Sequence, residues 1–244
     1  MDKKAKLKEL EKRYQDLLAR WPAHSVKPEM IIEKEELEDE IAELKKAIAE
    51  EQASHVFDPK NRHKLKDEKR KMLLPPDETV AKLPVNPGDI ILDYGAGIGY
   101  FTIPLAKRTG SSGMVYAVDI SPEILKDLEE EVLRAGLSNV KAALVPGDGS
   151  LPEEFPEFDV IFLAMVLHEL AEKEAVLSAL TKKIKKQGKL IIIDWEKKET
   201  EFGPPVAHRV SVEEGVSYLE KAGLKLLQKM NVSAAHWGII GIKE

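Results

Sequence analysis

Gly95, Gly97 and Gly99 stand at alternate positions just after Ile90-Ile91-Leu92-Asp93-Tyr94, an apolar run that ends in an acid. Glycines placed there let a backbone turn sharply and come close to a ligand. The spacing is not the G-x-G-x-x-G of a dinucleotide fingerprint, because position 100 is Tyr100. It is not a P-loop either, since no Gly-Lys-Ser/Thr follows. A carboxylate at Asp93 would repel a pyrophosphate and suits a cationic ligand instead. Other residues able to do chemistry are spread downstream. Asp119 closes the run Val115-Tyr116-Ala117-Val118, and Asp148 sits in Pro146-Gly147-Asp148-Gly149. His168 follows Val166-Leu167, and His208 and Arg209 fall in the long stretch 195–210. Each has a plainer reading beside the functional one: Asp148 as a turn residue, His208 as an exposed loop histidine.

The elements that must position these residues alternate between strand and helix. Residues 90–94 read as a buried parallel strand, and 101–108 as a helix stopped by Gly110. Strand, glycine loop and helix make the first unit of a nucleotide-binding α/β fold. A second strand, 115–119, ends in Asp119 at about the distance where such folds hold a ribose. Ser121 caps the next helix, Pro122 suits its first turn and Gly136 ends it. Residues 140–145 and 159–166 give the third and fourth strands. The segment 172–186 gives an amphipathic helix with a basic end, and 190–194 the fifth strand. Ser211 caps a helix that ends near Gly223, and 224–230 and 236–242 give two more strands. Open α/β sheets bind ligands at the C-terminal ends of their strands, where His168 falls.

The pattern Asp93-x-Gly95-x-Gly97-x-Gly99 resembles the first motif of class I S-adenosylmethionine-dependent methyltransferases, in their small-molecule, type 11-like branch. The likeness covers about residues 77–244. It implies a Rossmann-like, seven-stranded, mostly parallel sheet with helices on both faces. It also implies S-adenosylmethionine as cofactor and S-adenosylhomocysteine as product. That cofactor carries a sulfonium and an amino group, which accounts for an acid at Asp93. The resemblance gives Asp119 the ribose hydroxyls, lays Ile120 on the adenine and lets Asp148 accept from the adenine amino group. Gly95, Ala96, Gly97, Gly99, Gly149 and Ala164 complete the implied cofactor set. Many small-molecule members carry an apolar-His turn like Leu167-His168. The Asn/Asp-Pro-Pro-aromatic motif of amino-methyltransferases is missing here, which argues against methylation of a base amine. The expected reaction is direct displacement, with His168 and His208 as candidate bases and Asp194 and Glu169 behind them. No spacing of two histidines and a carboxylate points to a metal.

Composition narrows the partners. The net charge of −6 argues against a polyanion such as nucleic acid. The absence of cysteine removes disulfides, a thiolate zinc site and a cysteine nucleophile. No segment reads as a signal peptide or a membrane span, so the expected location is cytoplasmic. Charged residues at 33% resemble a thermophile's composition.

Residues 1–54 differ from the rest. Leu7, Leu10, Tyr14 and Leu17, and then Leu37, Ile41, Leu44 and Ile48, recur at helical spacing around a break at Trp21-Pro22. The first stripe lies in a Lys-rich helix and the second in a Glu-rich one, which predicts an antiparallel hairpin, packed on its own domain or joining two copies as a homodimer. Residues 55–76 are basic and end in Pro75-Pro76, a solvated charged segment or a lid over an anionic acceptor. Lys64, Lys66, Arg70 and Arg209 are the cations expected to hold that acceptor. The methyltransferase domain proper is expected over 77–244. Three alternatives stay open. They are an NAD-linked oxidoreductase, an RNA or protein methyltransferase, and a non-catalytic scaffold docking partners through the hairpin.

Overall fold

Alternation along the central strands decides which side chains meet which helices. The computed structural model describes residues 3–22, 26–53 and 68–244. The chain divides into two compact units, Met1–Val56 and Phe57–Glu244.

The larger unit holds seven strands: β1 (Ile90–Tyr94), β2 (Met114–Asp119), β3 (Val140–Leu144), β4 (Phe158–Ala164), β5 (Ile184–Trp195), β6 (Lys225–Ser233) and β7 (His236–Ile242). Their order across the sheet is β3-β2-β1-β4-β5-β7-β6. β7 runs antiparallel to β5 and β6, and the other pairs are parallel. The order reverses between β1 and β4, the switch point at which open α/β sheets leave a ligand crevice. The helices are α3 (Glu68–Leu73), α4 (Pro76–Ala81), α5 (Thr102–Thr109), α6 (Pro122–Arg134), α7 (Lys173–Lys182) and α8 (Val212–Lys221).

Successive residues of a strand point to opposite faces. Ile91, Val160, Phe162, Ile191 and Ile193 therefore share one core with Leu105 of α5 and Val80 of α4. Leu92, Ile161, Leu163, Leu190 and Ile192 share the other with Leu177 and Leu180 of α7 and Leu219 of α8. The same rule sends Asp93 toward α5 and Tyr94 toward α7. The helix ends follow the expected residues. Ser121 Oγ accepts from Ile124 N at 3.3 Å, and Ser211 and Glu214 form a capping box. Gly110 and Gly136 take positive φ just past α5 and α6.

Several boundaries depart from the sequence reading, two of them at β4 and β5. β4 stops at Ala164, not at residue 166, because Met165 turns back with φ 56° while its N–H donates to Ile193 O. The helix expected over 172–186 ends at Lys182, and β5 begins at Ile184. Ile184 is fully buried and pairs with Phe158, so the core captures it. The polar run Lys185-Lys186-Gln187 then bulges through a positive φ at Gln187 before the apolar stretch resumes.

The smaller unit is a helical hairpin of α1 (Lys3–Ala19) and α2 (Pro28–Ala53). Leu10, Leu17 and Leu37 are buried between its helices, with Tyr14, Ile41 and Leu44 packed around them. Tyr14 Oη donates to Glu38 Oε1 at 2.6 Å, and Lys45 pairs with Glu11 at 2.8 Å. The side chain of Ile48 and residues 54–67, with Lys64 and Lys66, lie outside the described set, as does the side chain of Arg70.

Candidate functional site

The C-terminal end of β1 gathers three loops. Gly95, Gly97 and Gly99 all take positive φ (75°, 56° and 91°), a region costly for any residue with a Cβ. Gly95 N and Ala96 N both donate to Val118 O at 2.9 Å, which folds the loop back on the end of β2. Gly97 N then donates to Asp119 Oδ2 at 3.0 Å, and Ser121 N to Asp119 Oδ1 at 3.1 Å. Asp93 lies beneath this loop, 2% exposed, with Thr102 Oγ1 donating to its Oδ2 at 2.6 Å. Burial pushes the Asp93 carboxyl up to about 7, against the pull of the Thr102 hydroxyl, and the Asp119 charge adds to the rise. Burial also holds Asp119 above the usual carboxylate range, although backbone N–H groups of Gly97 and Ser121 oppose it.

No basic side chain among the described residues hydrogen-bonds or ion-pairs with Asp93 or Asp119. Two acids on neighbouring strands, raised by burial and lacking a cation, form a donor set that a cationic ligand with hydroxyls would complete. The residues present therefore fit the cofactor that the sequence implied.

The loop after β3 forms the far wall. Gly147 and Gly149 take φ 81° and 88°. Ile120 is 45% exposed, and a Cβ on Gly147 would come within 2.8 Å of its Cγ2. Asp148 is exposed, and its Oδ1 accepts from Ser150 N at 2.9 Å and Ser150 Oγ at 2.5 Å. Those bonds, the hydroxyl's first, hold its carboxyl below the usual range.

The loops after β4 and β5 are built differently. Val166 presses on the glycine loop, since a Cβ on Gly95 would meet its Cγ2 at 2.4 Å. Two residues on, His168 is 8% exposed and locked to Asp194, which is fully buried at the end of β5. Asp194 Oδ2 accepts from His168 N at 3.0 Å, and its Oδ1 lies 2.7 Å from both His168 Nδ1 and Trp195 N. His168 Nε2 lies 3.7 Å from Glu169 Oε1. Burial alone would lower the imidazole's pKa; the bond and charge of Asp194, helped by Glu169, outweigh it and hold the ring above its ordinary value.

Arg209 does not serve as an anion clamp. It is 4% exposed, and its five N–H donors are used within its own loop. Nε donates to Pro204 O, the Nη1 hydrogens to Glu196 O and Lys198 O, and the Nη2 hydrogens to Thr200 Oγ1 and Phe202 O, at 2.7–3.2 Å. A guanidinium has five donors, so none is left for a substrate. Its carbon also lies 5.3 Å from the Trp195 ring, and the His236 ring lies 4.2 Å from the same indole. His208 is half-buried on the short 3-10 turn Val206–His208, not on an open loop.

Residues 86–229, more than half of the chain, match a family described as a methyltransferase domain. The chain belongs to the class I S-adenosylmethionine-dependent methyltransferases. A solved S-adenosylmethionine-dependent methyltransferase from Aquifex aeolicus superposes with a TM-score of 0.73 at 32% identity. That match covers 78% of this chain and all of the other. Curated relatives include the ubiquinone/menaquinone biosynthesis C-methyltransferases UbiE of a Marinomonas strain, 28% identical over 125 residues, and of Teredinibacter turnerae, 32% identical over 114 residues. Those stretches are 51% and 46% of this chain, and 49% and 45% of the relatives. The chain thus spans about half the length of the curated methyltransferases it matches.

Tyr94 and Ser150 escaped the sequence reading. Ser150 carried a signal, since Asp-x-Ser spacing favours a side-chain-bonded turn. Tyr94 carried none, because a buried aromatic before a glycine reads as core.

Proposed function

We propose that this chain moves a methyl group from S-adenosylmethionine to a small, polar acceptor by direct displacement. The observation that carries the reading is the acid pair Asp93 and Asp119, set beside three positive-φ glycines with no basic partner among the described residues. In this reading Asp93 answers the cationic end of the cofactor and Asp119 takes the ribose hydroxyls. Gly95, Ala96, Gly97 and Gly99 allow close backbone approach. Ile120 covers a face of the adenine, Asp148 and Gly149 meet its edge, and Ala164 lines the floor. When bound, the cofactor supplies an electrophilic methyl group on a sulfonium. The chain's own share is alignment and exclusion of water.

His168 belongs to the acceptor side. Asp194 accepts from His168 N and Trp195 N, so its contact with His168 Nδ1 places that nitrogen as the donor, and Nε2 is the nitrogen proposed to position or deprotonate an acceptor. His208 is the second imidazole held for that role. A base is required only where the acceptor's nucleophile is protonated.

A small acceptor is supported by the net charge of −6 and by the missing amino-methyltransferase motif after β4. The UbiE relatives, named for quinone biosynthesis, support it too. No described helix is long and apolar enough to cross a membrane, in keeping with a cytoplasmic enzyme. The hairpin is read as an N-terminal extension that could join two copies. Calorimetric titration with S-adenosylmethionine and S-adenosylhomocysteine tests the cofactor site. Transfer of labelled methyl groups to metabolite pools, and not to bulk RNA, tests the acceptor. Salt-dependent labelling of bulk RNA would overturn the small-molecule reading.

A further inference from the structure

We infer that Tyr94 is a positioning residue that makes the cofactor site selective for an adenine base, acting through the turn that carries Asp148. The inference rests on the reading above, in which Asp148 meets the edge of that base.

Tyr94 is 3% exposed and points to the α7 side of the sheet with Leu92. Its hydroxyl oxygen accepts from Gly149 N at 3.2 Å, a bond that joins the end of β1 to a turn fifty-five residues away. The turn is braced on two further sides. A Cβ on Gly149 would stand 2.8 Å from Val176 O and 2.9 Å from Ala179 Cβ, so the chain lies hard against α7. A Cβ on Gly147 would stand 2.8 Å from Ile120 Cγ2, so the residue after β2 closes the other flank.

Inside this frame Ser150 orients the Asp148 carboxylate through two bonds to Oδ1, neither of which uses Oδ2. A carboxylate fixed in this way accepts from the 6-amino group of adenine and repels the 6-oxo group of hypoxanthine. Selectivity of that kind needs the acceptor held still, because a free carboxylate would swing away from the wrong base. Of the three braces, Tyr94 alone holds the turn by a hydrogen bond. The Gly149 N–H it satisfies is buried, and among the described residues Tyr94 Oη is its acceptor.

The test compares calorimetric affinities for S-adenosylhomocysteine and its inosine analogue in wild type, Tyr94→Phe, Asp148→Ala and the double variant. Phenylalanine keeps the ring and its packing and removes only the hydroxyl. We expect the wild type to prefer the adenosyl ligand and Tyr94→Phe to shrink that preference about three- to tenfold, the range of one hydrogen bond. In the Asp148→Ala background the same change should alter the preference by less than about twofold. An unchanged preference in Tyr94→Phe overturns the inference, as does an equal loss for both ligands or an equal effect with and without Asp148. A wild type that binds S-adenosylhomocysteine but does not discriminate overturns the Asp148 assignment and this inference together. A wild type that binds neither ligand overturns the cofactor reading itself.

Discussion

The loops after β1, β2 and β3 are shaped by backbone, whereas those after β4 and β5 are held by buried charge. On the first side five glycines with positive φ carry the turns, and the acids Asp93 and Asp119 have no cationic partner among the described residues. On the second side the polar groups satisfy one another: Asp194 accepts three N–H groups, and Arg209 spends five donors on its own loop. The difference teaches where binding energy can come from. The first side keeps charge available for a ligand. The second is preorganised and largely used up; in the proposed reading, selection of the acceptor falls to its shape and to His168 Nε2.

The largest expected effect comes from breaking the second side. Asp194→Ala strands His168 N, His168 Nδ1 and Trp195 N in a buried site, and should cost about 3–5 kcal/mol in urea unfolding. A loss below about 1 kcal/mol would mean that the buried charges do not hold these loops. If His168 acts on the acceptor side as proposed, His168→Ala should lower turnover far more than cofactor affinity. Parallel losses in both would make His168 structural.

A glycine pair probes the first side. Gly95→Ala forces a Cβ to 2.4 Å from Val166 Cγ2 at φ 75°, and should cost about 2–4 kcal/mol from strain plus overpacking. Gly136→Ala has a similar φ of 66° but nothing within 4 Å, and should cost only about 1–2 kcal/mol. Thermal or urea unfolding of the two variants gives the difference. Equal losses would show that the loop's contact with Val166 contributes nothing.

The first side was legible in the sequence because its devices are local. Asp93, the alternating glycines and Asp119 sit within one strand-loop-helix-strand stretch, so their spacing placed them at one end of the sheet, while the roles expected of them came from the family resemblance. The second side depends on pairings distant in sequence. Arg209 was expected to hold an anionic acceptor because nothing nearby announced the five acceptors at positions 196–204. Asp194 was seen as a carboxylate, but its partnership with His168 needs β4 and β5 side by side. The start of β5 was misread for the same reason: Ile184 is drawn into the sheet by Phe158, while its own neighbours are lysines. The hairpin stripes were readable because 3.6-residue periodicity is local too.

A smaller effect distinguishes the two sides by pH. The buried Asp93 carboxyl titrates near about 7 in the folded chain, against roughly 4 when unfolded. The folded state therefore binds that proton more tightly, and ligand-free stability rises as pH falls from about 7 toward 4. His168, raised in the folded state, acts in the same direction. Its contribution is full below the unfolded value of about 6.5 and is lost as pH rises through the folded one. Cofactor affinity runs the other way, because a protonated Asp93 no longer attracts a cation. Kd should rise below pH 7 by up to about tenfold per unit, a slope that Asp93→Asn removes and His168→Ala leaves in place. Calorimetry across that range reads it. A slope that survives Asp93→Asn would assign the proton elsewhere.

The central claim is that the loops after β1 to β3 hold the cofactor and that Asp119 grips its ribose. Isothermal titration of wild type and Asp119→Ala with S-adenosylhomocysteine tests this most directly. Wild type should bind with one site per chain, and the variant should lose about 2–4 kcal/mol, the worth of two charge-assisted hydrogen bonds partly replaced by water. Equal affinity in the two proteins would contradict it.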